Sequence, residues 1–484
     1  MPHTFPAQES STPQEYLLFI EGQWLAGESV MEIRAPYDGA LAGKAHRASA
    51  AHLEQAIASA ERAFAHTRRL PTHKRAAVLE GVVAELKANH EALARQIAME
   101  AGKPLKYARA EVSRAIMTFT DALEECKRLR GEWLPLDLDS ASEGRQGLVR
   151  RFPLGPVGAI TPFNFPLNLV AHKVAPALAC GNPVVLKPAS QTPLTALRLA
   201  QILEKAGAPA GVLNVVPCPG ALAETLATDR RIKYLSFTGS GAVGWRLRDI
   251  ASYKKVALEL GGNAGVAVHS DADLDYAAQR CAMGSFAYAG QTCISVQRIF
   301  VHRPVFETFL EKFVQVSRHL KVGDPLDEQT DVGPMISTEE ARRALEWVDE
   351  AVAGGAEVVL GGAARGNLLP PIILTRTTPA MKVNCQEIFA PVVTVEPYNE
   401  WAEVLRFINN SPYGLQAGIF TRDLPRIQEA FETLEVGGLL VNDVPTWRAD
   451  VMPYGGWKES GLGREGVRYA IEGMTERRVM VWKV

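Results

Sequence analysis

Between Val157 and Leu260 the chain alternates short β-branched runs with helical stretches, and this rhythm constrains the fold more than any other feature. The runs are Val157–Thr161, Val184–Leu186, Val212–Val216, Ile232–Phe237 and Lys255–Leu260, with helical intervals such as Thr195–Ala206 and Ala221–Ala227. Strands separated by helices pair in parallel, so the segment predicts βαβ units and a doubly wound sheet. A second α/β portion runs from about Gly261 to Val441, with helical stretches at Phe309–Leu320 and Ala341–Ala353 and a strand at Val358–Leu360.

The first third reads as helical. Within Ser49–Leu70, Leu53, Ile57, Ala60 and Phe64 share one helical face. After Pro71 an apolar stripe of Val78, Leu79, Val82, Val83 and Leu86 continues until Gly102 and Pro104, where a third helical segment opens toward Leu129. Glu132–Gly147 is acidic, Ser-rich and broken by Pro135, which predicts an extended excursion. The tail Arg477–Val484 carries Val479, Val481 and Trp482, and an apolar edge strand of this kind calls for a partner chain.

A chain of 484 residues, 47% hydrophobic and 22% charged, has material for two or three domains with large cores. A net charge of −2 without a basic stripe argues against a nucleic-acid partner. No apolar run is long enough to span a bilayer, so no membrane partner is expected. Met1–Glu15 is polar and lacks the layout of a secretory leader, so a cytoplasmic location is expected. Six cysteines without a CxxC pair exclude a disulfide framework and argue against zinc or another metal.

The chemically suggestive residues follow the predicted strands. Asn164, Lys187, Thr238 with Gly239, and Glu259 all fall there, where open α/β sheets bind ligands. Ile232–Gly244 runs a strand into Gly239-x-Gly241-x-x-Gly244 and a helix, a layout that admits a pyrophosphate at the helix N-terminus. Taken alone it is equally an ordinary glycine-rich turn. Cys293 follows Gly290, Gln291 and Thr292; a nucleophilic thiol needs access and a lowered pKa, and composition does not separate it from the other cysteines. Glu259 interrupts an apolar stretch, which suits a base with a raised pKa or a structural ion pair. Asn164, between Pro162 and Pro166, is an oxyanion donor or a turn residue.

Set together, these segments resemble the aldehyde dehydrogenase superfamily. The matching pieces are Pro162-Phe163-Asn164-Phe165-Pro166, Lys187-Pro188-Ala189-Ser190, Gly211-Val212-Leu213-Asn214-Val215-Val216, Phe237-Thr238-Gly239-Ser240, Glu259-Leu260-Gly261-Gly262, Gly290-Gln291-Thr292-Cys293, Glu387-Ile388-Phe389 and Pro453-Tyr454-Gly455-Gly456. The resemblance implies an α/β fold with a doubly wound dinucleotide-binding domain over 1–131 and 148–259, to which 446–464 return. It also implies a catalytic domain over 260–445 and an oligomerisation element from 132–147 and 465–484.

The implied chemistry is oxidation of an aldehyde to the acid with NAD or NADP. Cys293 attacks the aldehyde, the Asn164 amide and the Cys293 backbone N–H hold the oxyanion, and Glu259 activates water against the resulting thioester. Lys187 would meet the adenosine ribose, Ser240 the pyrophosphate, and Glu387 and Phe389 the nicotinamide ribose and ring. Thr161, Pro162, Gly220 and Phe237 join this cofactor set, as do Gly239, Gly244 and Leu260. Ser190 stands where many relatives have Glu, which removes repulsion toward a 2′-phosphate, so NADP is expected to be accepted. Gly265 and Ala390 also depart from the usual pattern, with little effect expected.

The implied substrate walls are Phe165, Asn168, His172, Thr292, Ile294 and Trp447. Arg448 faces a substrate hydroxyl or anionic group, or instead pairs with Asp450. The tail is similar to that of enzymes for short polar hydroxyaldehydes, and a homodimer or homotetramer is implied. A CoA-acylating aldehyde dehydrogenase and a non-catalytic binding protein on the same scaffold are the alternatives.

Overall fold

The computed structural model describes residues 14–484, so the Met1–Glu15 stretch lies almost wholly outside the described residues. Its first large sheet has at its centre the parallel strands Lys255–Glu259, Tyr234–Thr238, Val157–Ile160, Val184–Lys187 and Leu213–Val215, adjacent in that order. Chain order reverses between Val157–Ile160 and Tyr234–Thr238. A crevice opens at such a switch point, beyond the carboxyl ends of the strands. Antiparallel strands extend both edges: Gly461–Leu462 beside Lys255–Glu259, and Leu18–Ile20 beside Leu213–Val215.

Two corrections apply to the first third. Short strands between Glu15 and Arg47 precede the helices. Glu15–Tyr16, Leu18–Ile20 and Gln23–Leu25 are too short for a period-two pattern to stand out, and Ser29–Arg34 and Leu41–Arg47 carry no clean alternation. The stretch after Pro71 is also two helices, Thr72–Ala88 and His90–Ala101. Asn89 breaks it: its side-chain amide donates to the Glu85 carbonyl at 2.8 Å, competing with the helix's own ladder.

Helix Asn168–Cys180 is buried at every residue, between the sheet and helix Leu105–Lys127. Carboxylates from neighbouring helices satisfy the starts of this helix and the next. Glu111 accepts from the amides of Leu167 (2.9 Å) and Asn168 (3.1 Å), and Glu100 from those of Leu194 (2.9 Å) and Thr195 (3.0 Å). Orphan amides at a buried helix start need such partners.

The second large sheet contains Val392–Tyr398, Val296–His302, Ala264–Val268, Gln416–Phe420 and Gly438–Val441 in parallel. Leu260–Asn263 carries the chain from one sheet to the other. A third, antiparallel sheet joins Thr475–Lys483, Arg145–Pro153 and Glu132–Pro135. It differs from the expected excursion in running on to Pro153. It differs from the expected 465–484 segment as well, because helix Val467–Gly473 packs Val467 and Ile471 into the first core. Among the described residues no helix is long and apolar enough to cross a membrane.

Arg298 pins the second sheet to the crossover. It is fully buried, and its guanidinium donates to the carbonyls of Phe407 (3.0 Å), Asn263 (2.9 Å) and Ile408 (3.2 Å), the first and last at the end of helix Trp401–Asn409. Arg298→Met should leave these carbonyls unsatisfied and cost about 3 kcal/mol, read as a lower denaturation midpoint in urea. An unchanged midpoint would remove this role.

Candidate active site

A cavity of about 750 Å³ opens at the switch point, and Asn164, Glu259 and Cys293 all line it. Each arrives by a different route: Asn164 from the loop after Val157–Ile160, Glu259 as the last residue of its strand, and Cys293 from the turn before Val296–His302.

Glycine makes the meeting possible. A Cβ on Gly262 would lie 2.2 Å from the Cys293 carbonyl oxygen, and one on Gly261 would lie 2.5 Å from Glu387 Oε2. A Cβ on Gly290 would meet the Ala390 carbonyl oxygen at 2.2 Å. These glycines are therefore contact points between backbone segments. Tyr288 and Ala289, just ahead of Gly290, hold left-handed φ values of 53° and 54°. Such strain in non-glycine residues gathers at functional sites.

The Cys293 thiol is half-buried and lies 3.0 Å from the Tyr454 hydroxyl. Burial pushes it up to about 12, against the lowering effect of the Tyr454 hydrogen bond. The resting thiol is thus protonated at neutral pH. Glu259 is buried with neither carboxylate oxygen hydrogen-bonded. Burial, reinforced by the nearby Glu465, holds its carboxyl well above the usual range. The Asn164 amide spends one N–H on the Gln291 carbonyl at 3.0 Å, leaving the other for a ligand.

Of the residues expected to hold a cofactor, Pro162, Gly239, Ser240, Leu260, Glu387 and Phe389 line the cavity. Helix Gly241–Ile250 starts here, and the Ser240 side chain makes no cap hydrogen bond. Thr238 Oγ1 is buried without a partner, and a Cβ on Gly241 would meet nothing within 4 Å. An open helix start beside free polar atoms fits a pyrophosphate. Glu387 accepts from the Gly262 amide at 2.8 Å, and burial raises its carboxyl to about 7. Phe389 has a φ of 53°.

The other expected cofactor residues are not in the cavity wall. Thr161, Lys187 and Ser190 lie along the same sheet end, and Gly220 opens a short helix. Phe237 and Gly244 pack inside: a Cβ on Gly244 would lie 2.3 Å from Leu260 Cδ2 and 3.2 Å from the Phe237 ring. Gly244 thus permits close helix–strand packing.

Of the expected substrate walls, Phe165, Asn168, Thr292, Ile294, Trp447 and Arg448 line the cavity. His172 is corrected: it lies behind the wall, 2% exposed, with Nε2 2.8 Å from Asp450 Oδ1. The position implied by the resemblance does not reach the cavity, because the helix is buried on every side and Asp450 holds the ring. Arg448 lines the cavity yet is paired, and its nearer carboxylate is Glu465 (3.2 Å), with Asp450 at 3.9 Å. Its guanidinium also sits 3.7 Å from the centre of the Tyr454 ring.

Several lining residues carried no expectation. Lys103, Arg114 and Tyr454 are examples. Glu111, which pairs with Lys103, falls on the apolar stripe of its helix; a charge on a buried stripe was the available signal.

Because the thiol is high, alkylation of Cys293 by iodoacetamide in the cofactor-free protein should quicken about tenfold per pH unit from pH ~7 to ~9. Peptide mass spectrometry would follow it. A plateau below pH ~8 would mean a thiolate already formed at rest.

The family model for the aldehyde dehydrogenase family matches residues 24–480. The chain is 45% identical to 3-sulfolactaldehyde dehydrogenase of Priestia aryabhattai over 97% of this chain and 98% of that one. It is 41% identical to lactaldehyde dehydrogenase of Methanocaldococcus jannaschii over 96% and 99%. The crystal structure of aldehyde dehydrogenase 21 from Physcomitrella patens with its reaction product succinate superposes with a TM-score of 0.96 at 44% identity, covering 98% of this chain and 99% of that one. Glyceraldehyde-3-phosphate dehydrogenase GapN from Methanocaldococcus jannaschii, complexed with NADP, gives 0.90 at 41% identity, covering 94% and 99%. With this agreement along nearly its whole length, the chain belongs to the aldehyde dehydrogenase family, as an NAD- or NADP-dependent enzyme that oxidises an aldehyde to the carboxylic acid.

Proposed function

We propose that the natural substrate is a short polar aldehyde carrying a hydroxyl or an anionic group, and that Cys293, Glu259 and Asn164 perform the chemistry. The observation that carries the residue assignment is their convergence on one cavity beside the open helix start at Gly241.

Cys293 passes its proton to the Glu259 carboxylate, whose oxygens have no other partner, and Glu259 releases that proton to solvent before it acts again. The Tyr454 hydroxyl donates to the thiolate, which attacks the aldehyde carbon. The free Asn164 N–H and the Cys293 backbone N–H hold the oxyanion of the resulting thiohemiacetal. A nicotinamide held beside Glu387 and Phe389 would supply the hydride acceptor by which the thiohemiacetal becomes a thioester. Glu259 then takes a proton from water as that water attacks the thioester, and Cys293 leaves as thiolate. A buried carboxylate with raised proton affinity suits that step. A CoA-acylating enzyme would need no such base.

Pro162, Gly239, Ser240 and Leu260 would cradle the dinucleotide, with Glu387 and Phe389 at its nicotinamide end and Lys187 at its adenosine ribose. Thr161, Gly220, Phe237 and Gly244 would support that groove. Ser190, exposed at the sheet end, puts no carboxylate against a 2′-phosphate and so admits NADP.

Charge supports the substrate class. Arg114 lines the cavity with a partly exposed guanidinium, and only one of its edges is taken up by Asp450. A cation open to the cavity favours an anion. The aldehydes named for the similar enzymes, sulfolactaldehyde and lactaldehyde, carry a sulfonate or a hydroxyl.

The enzyme is assigned to the cytoplasm as a homodimer or homotetramer, in keeping with six unpaired cysteines. Strand Thr475–Lys483 leaves one edge unpaired and exposes Val479, Met480 and Val481, with Trp133 nearby in the same sheet. A second copy of the chain would cover it.

Two outcomes are expected. Lactaldehyde or an anionic analogue should reduce NAD or NADP, seen as dinucleotide absorbance, and Cys293→Ala should lower the rate at least about 10³-fold while cofactor binding persists. Reduction that survives Cys293→Ala would sink the assignment. Val481→Lys should shift the protein to a smaller species on size-exclusion chromatography; an unchanged elution volume would place the interface elsewhere.

A further inference from the structure

We propose that Asp450 is a positioning residue for substrate recognition: it clamps one edge of the Arg114 guanidinium so that the remaining edge receives the anionic end of the aldehyde. This rests on the substrate class proposed above.

Asp450 is 4% exposed and accepts hydrogen bonds at both oxygens. Oδ1 accepts from Arg114 Nη2 and His172 Nε2, each at 2.8 Å, and from Asn168 Nδ2 at 3.1 Å. Oδ2 accepts from Arg114 Nε at 3.0 Å. Burial holds the His172 imidazole below its usual pKa, and its Nε2 also lies 3.2 Å from Arg448 Nη2. The Asp450 charge is therefore matched by Arg114.

The partners come from two helices, Arg114 from Leu105–Lys127 and Asn168 and His172 from Asn168–Cys180. Asp450 itself ends the segment that gives Thr446, Trp447 and Arg448 to the cavity wall. One carboxylate thus ties a wall of the pocket to the helices behind it.

Arg114 is the cation best placed to meet a substrate. Its side chain is 30% exposed and lines the cavity, whereas those of Lys103 and Arg448 are 1% and 5% exposed. Arg280 is taken by Asp443 at 2.6 Å, and Arg343 donates to Glu340 and the Ile388 carbonyl, beside Glu387. Among the described hydrogen bonds, Arg114 uses only Nε and Nη2. A guanidinium is a rigid plane with five N–H donors, so fixing the Nε/Nη2 edge fixes where Nη1 points. The free edge becomes a preset fork for a carboxylate, sulfonate or phosphate.

The test compares kcat/KM for succinic semialdehyde and butanal, which differ in the terminal carboxylate. The wild-type enzyme should favour the anion. Asp450→Asn should reduce that preference about tenfold or more, chiefly through KM for the anion. Arg114→Lys, which keeps the charge but loses the fork, should do the same, and the double variant should lose no more than either single one. Equal loss on both aldehydes, or additive losses of preference, would overturn the role of Asp450 while leaving the substrate class intact. No wild-type preference would overturn the anionic half of that substrate class, on which this role rests. If Asp450→Asn does not fold, as judged by thermal unfolding and NADP binding, Arg114→Lys decides alone, and an undiminished preference overturns the proposal.

Discussion

The active site depends on one close approach of backbone, Gly262 against the carbonyl of Cys293. Leu260–Asn263 is where the chain leaves the first sheet and enters the second, so this contact also sets how the sheets meet. Glu259 ends the strand before the crossover, and Glu387 rests against Gly261 within it. Any Cβ at these glycines would push the carboxylate, the thiol and the dinucleotide crevice apart together. Packing this tight has little room to relax. Arg298 braces the same crossover from behind through the Asn263 carbonyl.

Around that contact lies an unusual amount of buried charge. Lys103, Lys173, Arg448, Glu111, Glu259, Asp450 and Glu465 are all buried, apart from solvent that could screen them. Buried ion pairs are a weak source of stability, since desolvation offsets most of their attraction. Their value here is geometric. Glu111 fixes the start of the helix that follows Asn164, and Arg448 lies over the Tyr454 ring that reaches the thiol. Each charge holds something that faces the cavity, or the residue next to it.

Much of this was legible in the sequence, and the limits have physical causes. The central parallel strands stand out because fully buried strands are continuous β-branched runs. Cys293, Glu259 and Asn164 were singled out only when their motifs were set together as a family resemblance, since locally each also reads as a core cysteine, an ion-paired carboxylate or a turn residue. His172 was misplaced because the resemblance gives a position in the fold but not which side chains of the wholly buried helix Asn168–Cys180 reach the cavity. Arg114 was passed over because its chemistry comes from Asp450, far along the chain, and nothing local marks such a pair, whereas Lys103 pairs with Glu111 only eight residues on. The break at Asn89 depends on a single side-chain hydrogen bond within an otherwise continuous stripe.

The sheet order also carries a consequence for biosynthesis. Gly461–Leu462 seals the edge of the strand that ends in Glu259, and Thr475–Lys483 pairs with Arg145–Pro153 across more than half the chain. Tyr454, Asp450 and Glu465 belong to the same late stretch. A nascent chain still on the ribosome can form the dinucleotide crevice and expose the Cys293 thiol before the groups that surround that thiol have been made. Contacts of such long range also close slowly. The catalytic pocket is therefore a late, post-translational event, and the half-made enzyme is a stage at which its reactive cysteine is least protected.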